Sequence, residues 1–510
     1  MTDTRLSNKR IAKNTILLYV RMLLLMLVSL YTSRVVLSTL GVSDFGIYGV
    51  VGGIVSMFTF INNAMATGTQ RFLTYELGRG DQVRLRKVFS MSVNIHLLLA
   101  ILVLLLAETV GLWFFYTKMV IPAARLTAAF WVYQFSVLAT LVMILSVPYN
   151  AVIIAHEKMS AFAYISIFEV VAKLLIVYLL LFSAWDRLIY YSALVLLVQL
   201  IVRFIYSYYC KKHFPESTYC WEPDRQLFRE MVGFSGWNFW GNCAAMAFTQ
   251  GLNLLLNMFF GPVVNAARAV AVQVQSAVFQ FSSNFQVALN PQITKSYASG
   301  QWDYMHSLIF RSSKFTYLLL FVVSLPVFLK VDYILALWLK EVPPYSAIFL
   351  RLILCVTIVD AVANPFMTAA AATGRVKKYQ TLLGSILLSI LPISYVVLKF
   401  GGQPYSVFVV HLCVALIAFV VRLYVVRPMI RLSVSAYVQQ VLFPLLAFTL
   451  VGVIPPACYN WYSDDSFLSL VLVVLLNICS TVLFGYFLAL SKSEKAFVRQ
   501  KLQILFPNKQ

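Results

Sequence analysis

Residues 14–39 read NTILLYVRMLLLMLVSLYTSRVVLST, and the basic residues Arg5, Lys9, Arg10 and Lys13 stand just before them. A membrane-spanning helix needs roughly 20 mostly apolar residues, so this stretch is long enough to cross a bilayer. It is too long for a secretory signal core, and Arg21 and Arg34 interrupt it, so it reads as a retained first span. Outward from it the pattern recurs. Fourteen spans are expected, near 14–39, 46–69, 88–112, 127–147, 161–183, 187–209, 232–259, 264–289, 315–338, 347–371, 379–399, 405–426, 437–456 and 467–490. The seventh and eighth are the most polar.

Composition agrees. Of 510 residues, 61% are apolar and 12% charged, and mean hydropathy is +0.82. A soluble domain is nearer half apolar and a quarter charged, and cannot hide such an excess. The chain therefore reads as all-α and polytopic in the membrane. Disordered, fibrous and soluble-enzyme classes are excluded.

The formal charge of +21 follows from topology, because cytoplasmic loops collect Lys and Arg. With both termini in the cytoplasm, 27 Lys/Arg fall on that side and five opposite: Lys118, Arg125, Arg187, Lys340 and Lys399. This asymmetry sets the orientation and supports an even number of spans. No basic helix with interleaved aromatics is present, so nucleic acid is not an expected partner. The external loops are too short for a folded domain. The seven cysteines are dispersed with no CxxC, which reads as packing residues rather than a metal or disulfide framework.

The chain repeats itself. QRFLTYELGRGD (Gln70–Asp81) matches QITKSYASGQWD (Gln292–Asp303) at Gln70/Gln292, Tyr75/Tyr297, Gly78/Gly300 and Asp81/Asp303. PYNAVIIAHEKMSAF from Pro148 echoes PFMTAAAATGRVKKY from Pro365 at nearly the same shift. A six-span unit used twice in parallel follows, with a pseudo-twofold axis along the membrane normal, an architecture typical of alternating-access transporters. The expected parts are a six-helix lobe over 1–210, a cytoplasmic linker over 211–231, a second lobe over 232–430, and an appended helix pair with a cytoplasmic tail over 431–510.

Polar residues inside spans carry the functional signal. Ser56, Thr59, Asn63, Thr67 and Gln70 share a face of the second span. Asn238, Asn242, Thr249 and Asn253 do so on the seventh, and Asn265, Ser276, Gln280 and Ser283 on the eighth. The first and seventh spans are repeat mates, as are the second and eighth, so the stripes are expected to line a hydrated cavity; interhelical hydrogen bonding is the alternative. Arg21, Arg34 and Arg268 are candidate contacts for an anionic substrate, or else snorkel to headgroups. Glu169 and Lys173 stand four apart, as a neutralising pair or a second charged patch. Asp360, just before Asn364 and Pro365, is the candidate proton or sodium site. Arg203, Lys330 and Arg422 near span ends read as snorkelling, and His96 and His411 as packing residues. There is no GxSxG, P-loop, HExxH or GxGxxG, so catalysis and a resident cofactor or metal are not expected.

The stretch from Arg10 to Asp81 resembles the start of bacterial polysaccharide flippases. The resemblance rests on the Arg-containing first span, the Thr39-Leu40-Gly41 turn with Asp44-Phe45-Gly46-Ile47-Tyr48, and Gln70-Arg71-Phe72 closing the second span. The Pro148 and Pro365 segments are similar to that family's recurring loops. The family is the Wzx-type, or polysaccharide transporter, branch of the multidrug/oligosaccharidyl-lipid/polysaccharide exporter superfamily. Motifs cover the first 160 or so residues, and topology the whole chain. The resemblance implies a two-lobed fold in the bacterial inner membrane. It implies a flippase that moves a lipid-linked oligosaccharide, an O-antigen or capsule repeat unit, to the outer leaflet for surface polysaccharide export. Cationic cavity residues would hold the diphosphate. Membrane lipids and polysaccharide assembly proteins are further expected partners. A multidrug or cation antiporter of the same fold is the alternative; it predicts acidic cavity residues, whereas the within-span residues lean to Arg. A membrane sugar transferase or polymerase ranks third, because the external loops are short.

Overall fold

The computed structural model describes residues 2–118, 121–181, 186–222, 224–339, 342–491 and 494–496. All regular structure among them is helical. The helices are α1 (Thr2–Arg79), α2 (Gln82–Leu106), α3 (Leu112–Lys118), α4 (Leu126–Ala155), α5 (Met159–Leu181), α6 (Arg187–His213), α7 (Arg225–Phe260), α8 (Pro262–Ala298) and α9 (Trp302–Leu329). They continue with α10 (Val331–Trp338), α11 (Ser346–Ala372), α12 (Lys377–Leu388), α13 (Ile390–Lys399), α14 (Ser406–Ile430), α15 (Val434–Tyr437), α16 (Phe443–Gly452), α17 (Ile454–Tyr462) and α18 (Phe467–Phe484). Backbone polar groups have no water partner in lipid, and a helix satisfies them within itself. Eleven described helices, some in two pieces, are long and apolar enough to cross a membrane. The least apolar of these is Arg225–Phe260, as its Asn-bearing sequence requires. The double-length α1 and the more polar α8 complete a set of about fourteen.

The expected turn at Thr39-Leu40-Gly41 does not break α1, which is helical from Thr2 to Arg79. The chain nevertheless doubles back. Asn14 Nδ2 donates to the Glu157 carbonyl at 3.1 Å, while Gln70 lines one cavity with Ile154. A straight helix would separate Asn14 from Gln70 by about 84 Å. Asn14, Arg21 and Tyr31 follow Glu157, Phe162 and Tyr178 along α5. Tyr48 then meets Tyr191 of α6, and Gln70 lines one cavity with Tyr206, further along α6. The reversal is pinned by Arg125, which bonds Asp44 on α1 and Asp186 at the α6 N-cap. Arg187 Nη1 adds a bond to the Thr39 carbonyl at 3.4 Å. Two spans thus come from one helical stretch because polar side chains from α4 and α6 hold its bend.

Two compact units result. Unit 1 is Met1–Phe239 with Thr294–Gly300, and unit 2 is Trp240–Ile293 with Gln301–Gln510. Unit 1 packs Ile47 and Val51 of α1 against Ala107, Phe115, Val132 and Leu188. Here a π-helical turn spans Ala107–Gly111, and the Ala107 carbonyl accepts both the Leu112 amide and the hydroxyl of Tyr133 of α4, the latter at 2.7 Å. Gly111 is required, because a Cβ there would strike the Tyr133 hydroxyl. Unit 2 buries Leu252, Leu256, Phe349, Leu350, Ile353 and Phe408 as its core. Its α9 is held at one end by Lys330, which is buried and bonds Asp465 at 2.8 Å rather than reaching for headgroups.

Candidate functional site

The sequence places polar side chains on four helices of unit 1 where they converge. α1 supplies Asn62, Asn63 and Gln70; α4 supplies Ser146 and Asn150; α5 supplies Glu169; α6 supplies Gln199 and Tyr206. Together they line a cavity of about 310 Å³. Pro148 removes one backbone hydrogen bond from α4 beside Asn150, as proline inside a helix must. Lys173 Nζ lies 2.6 Å from Glu169 Oε1, and Gln199 Nε2 donates to the same oxygen at 2.9 Å. The carboxylate is therefore neutralised one turn away on its own helix. The Oδ1 atoms of Asn62 and Asn150 are buried without a hydrogen-bond partner.

Arg21 borders this site. Its guanidinium lies over the Phe162 ring at 4.3 Å, within electrostatic reach of Glu169 and Tyr206, and its Nε is buried without a hydrogen-bond partner. The Arg34 side chain lies outside the described residues. Of the expected residues, unit 1 thus brings Asn63, Glu169 and Lys173 together, with Arg21 at the margin. Asn62, Asn150, Gln199 and Tyr206 were not anticipated. Isolated polar residues on otherwise apolar spans, as in LLVQLIV around Gln199, were the available signal.

Unit 2 has its own polar arrangement. Arg268 is 6% exposed, bonds the Asn253 side-chain oxygen, and donates to the Thr249 carbonyl at 3.0 Å. Among the described residues no carboxylate pairs with it. A polar ladder joins α8 to α11: Gln275 donates to Thr357 at 2.9 Å, Gln286 meets Asn364 and the Ala361 carbonyl, and Thr368 donates to Asn290 at 3.0 Å. Asp360 stands on the same stretch of α11 with an exposed side chain, and Arg422 is the cation that acts on it. Asn242 is half-buried on α7 and Gln280 is exposed on α8; neither joins the Arg268 pair. The cavity of unit 2 at Tyr317, Ile358, Leu416 and Phe419 is smaller, about 210 Å³, and apolar.

No protein-family profile and no curated protein matches the sequence. Solved structures do match in fold. An outward-facing multidrug resistance MATE family transporter of the MOP superfamily superposes with a TM-score of 0.72 at 11% identity, over 83% of this chain and 96% of that one. A MATE structure in the bent conformation gives 0.73 at 11% identity, over 85% and 96%. A MOP superfamily transporter from Pyrococcus furiosus, described as having a binding pocket of reverse polarity that suggests a different function, gives 0.68 at 12% identity, over 84% and 96%. The chain has the fold of these transporters.

Proposed function

We propose that this chain is an alternating-access flippase of the bacterial inner membrane, with both termini cytoplasmic. It moves a polyprenyl-diphosphate-linked oligosaccharide to the outer leaflet for surface polysaccharide export. The observation that carries this reading is Arg268. A buried guanidinium is costly unless compensated, and among the described residues this one meets only an amide oxygen and a backbone carbonyl. A diphosphate supplies the missing charge. Arg21, stacked on Phe162, and Arg34 are proposed for the same role, with Asn63, Asn242, Asn253 and Gln280 as hydrogen-bonding contacts. Asp360 is proposed as the site of proton or sodium coupling, with the Glu169–Lys173 pair as an electrostatic element beside the first.

A second reading, a multidrug or cation antiporter, is favoured by the fold shared with a MATE transporter and by the exposed carboxylate of Asp360. One experiment separates the two. Deleting the gene and weighing polyprenyl-diphosphate oligosaccharides by mass spectrometry gives a build-up of complete repeat units and loss of surface polymer if the first is right. Unchanged lipids and an intact surface, in a host without a second flippase, leave the antiporter.

A further inference from the structure

We propose that the unit 1 cavity is a sugar subsite that takes a single ring of the carried oligosaccharide through its hydroxyls, rather than a coupling cation; this rests on the flippase reading. Size is the first reason. At about 310 Å³ the cavity lies at the low end of the roughly 300–1,000 Å³ of small-molecule sites, room for one ring and not for a repeat unit.

Donor chemistry is the second. The polar part of the lining is mostly primary amides, Asn62, Asn63, Gln70, Asn150 and Gln199, with Ser146, Glu169 and Tyr206. An amide presents both donors and acceptors, and so does a sugar hydroxyl, so each can satisfy the other in both directions. Asn62 is 6% exposed, yet its Oδ1 has no partner, and neither has that of Asn150. Unpaired buried acceptors are costly, and either amide relieves that cost by turning its oxygen toward a bound hydroxyl.

Charge is the third. A cation needs uncompensated carboxylate, and among the described residues the only acid lining the cavity is Glu169. Its Oε1 is taken by Lys173 and Gln199. The neighbouring charge is Arg21, which repels a cation. A carboxylate held in place by an ammonium and an amide still accepts hydroxyl bonds on its other oxygen, so the neutral ligand gains where the cation loses.

The test uses the full chain in lipid nanodiscs. Saturation-transfer NMR with glucose, galactose and N-acetylglucosamine as probes should detect binding of at least one. Asn150→Leu and Gln199→Leu should each weaken it about tenfold, the scale of one lost buried hydrogen bond. Gly233→Ala, at a position with open space around it, should leave it unchanged. Ala66→Cys, which lines the cavity, guards against variants that misfold: in an otherwise native chain the same sugar should slow its alkylation, followed by peptide mass spectrometry. No signal and no protection by any probe overturns the proposal. So does sodium protecting position 66 in place of sugar. Sugar binding that persists while gene deletion leaves lipid intermediates unchanged would overturn the flippase reading and keep the subsite.

Discussion

Tyr75 and Tyr297, matched residues of the internal repeat, lie with ring centroids 6.3 Å apart. Their approach depends on Gly78. A Cβ at that position would come within 2.8 Å of the Lys295 Cα and carbonyl oxygen and of the Ala298 Cβ. The end of α8 and the turn after it, Thr294–Gly300, belong to unit 1 because this glycine lets backbone meet backbone.

Gly78→Ala is expected to lower the thermal midpoint and slow transport, since the atoms it meets are backbone and cannot rotate away. Gly233→Ala, in a helix with open space around the position, is the control and should be neutral or slightly stabilising. Equal midpoints for the two variants would mean that the α8 end is not packed as described.

Lys295 holds the same segment by charge. Its Nζ lies 2.7 Å from Oε1 of Glu157, whose side chain is fully buried and whose backbone has φ of 58°. Lys295→Met should cost about 3–5 kcal/mol, the scale of removing one charged partner from a buried ion pair. Glu157→Gln combined with it should recover part of that loss. Denaturation of the four members of the cycle measures the coupling; additive effects would exclude the pair.

Acid should loosen the end of the chain. Burial raises the Glu494 carboxyl, but hydrogen bonds from Lys314 and from the Ser491 amide outweigh it and leave it below its ordinary value. A lowered carboxylate contributes stability that is complete above its unfolded pKa of about 4.3 and is lost as pH falls through the folded value. Unfolding curves should therefore show this loss only below about pH 4.3. Lys314→Met should lower stability at neutral pH and flatten that acid limb, because the Ser491 amide and Arg311 Nε at 3.8 Å are then the remaining partners.

Transport variants divide the candidate roles. Arg268→Ala should raise the half-saturating concentration of lipid-linked substrate by about tenfold or more, the scale of one lost charge-assisted contact. Asp360→Asn should keep substrate binding and abolish the response to a proton or sodium gradient. Flipping in proteoliposomes, with and without the gradient, reads both. Full gradient dependence in Asp360→Asn would remove that residue from coupling.

Much of the fold was legible because hydrophobic length is a local property. The spans after the first two, the polar character of α7 and α8, and the Glu169–Lys173 spacing all sit within one helix. Asn63 was reached through its stripe, and the Glu169–Lys173 pair through its four-residue step. Asn62, Asn150 and Gln199 were missed because each is a single polar residue on its own helix, and only the packing of α1, α4 and α6 makes them neighbours. Thr39-Leu40-Gly41 signalled a turn, yet the reversal of α1 is enforced from elsewhere, by Arg125 and Arg187.

By itself, then, the sequence determined the membrane, the count of about fourteen spans and the helical class, since lipid leaves a long apolar segment no other structure. The tertiary structure alone decided where charge is compensated. It brings Gln199 to Glu169, pairs Glu157 with Lys295 and Glu494 with Lys314, and leaves Arg268 with neutral partners among the described residues. The physical reason is range: burial of apolar surface sums along one helix, whereas an ion pair depends on a few ångströms between helices far apart in the chain.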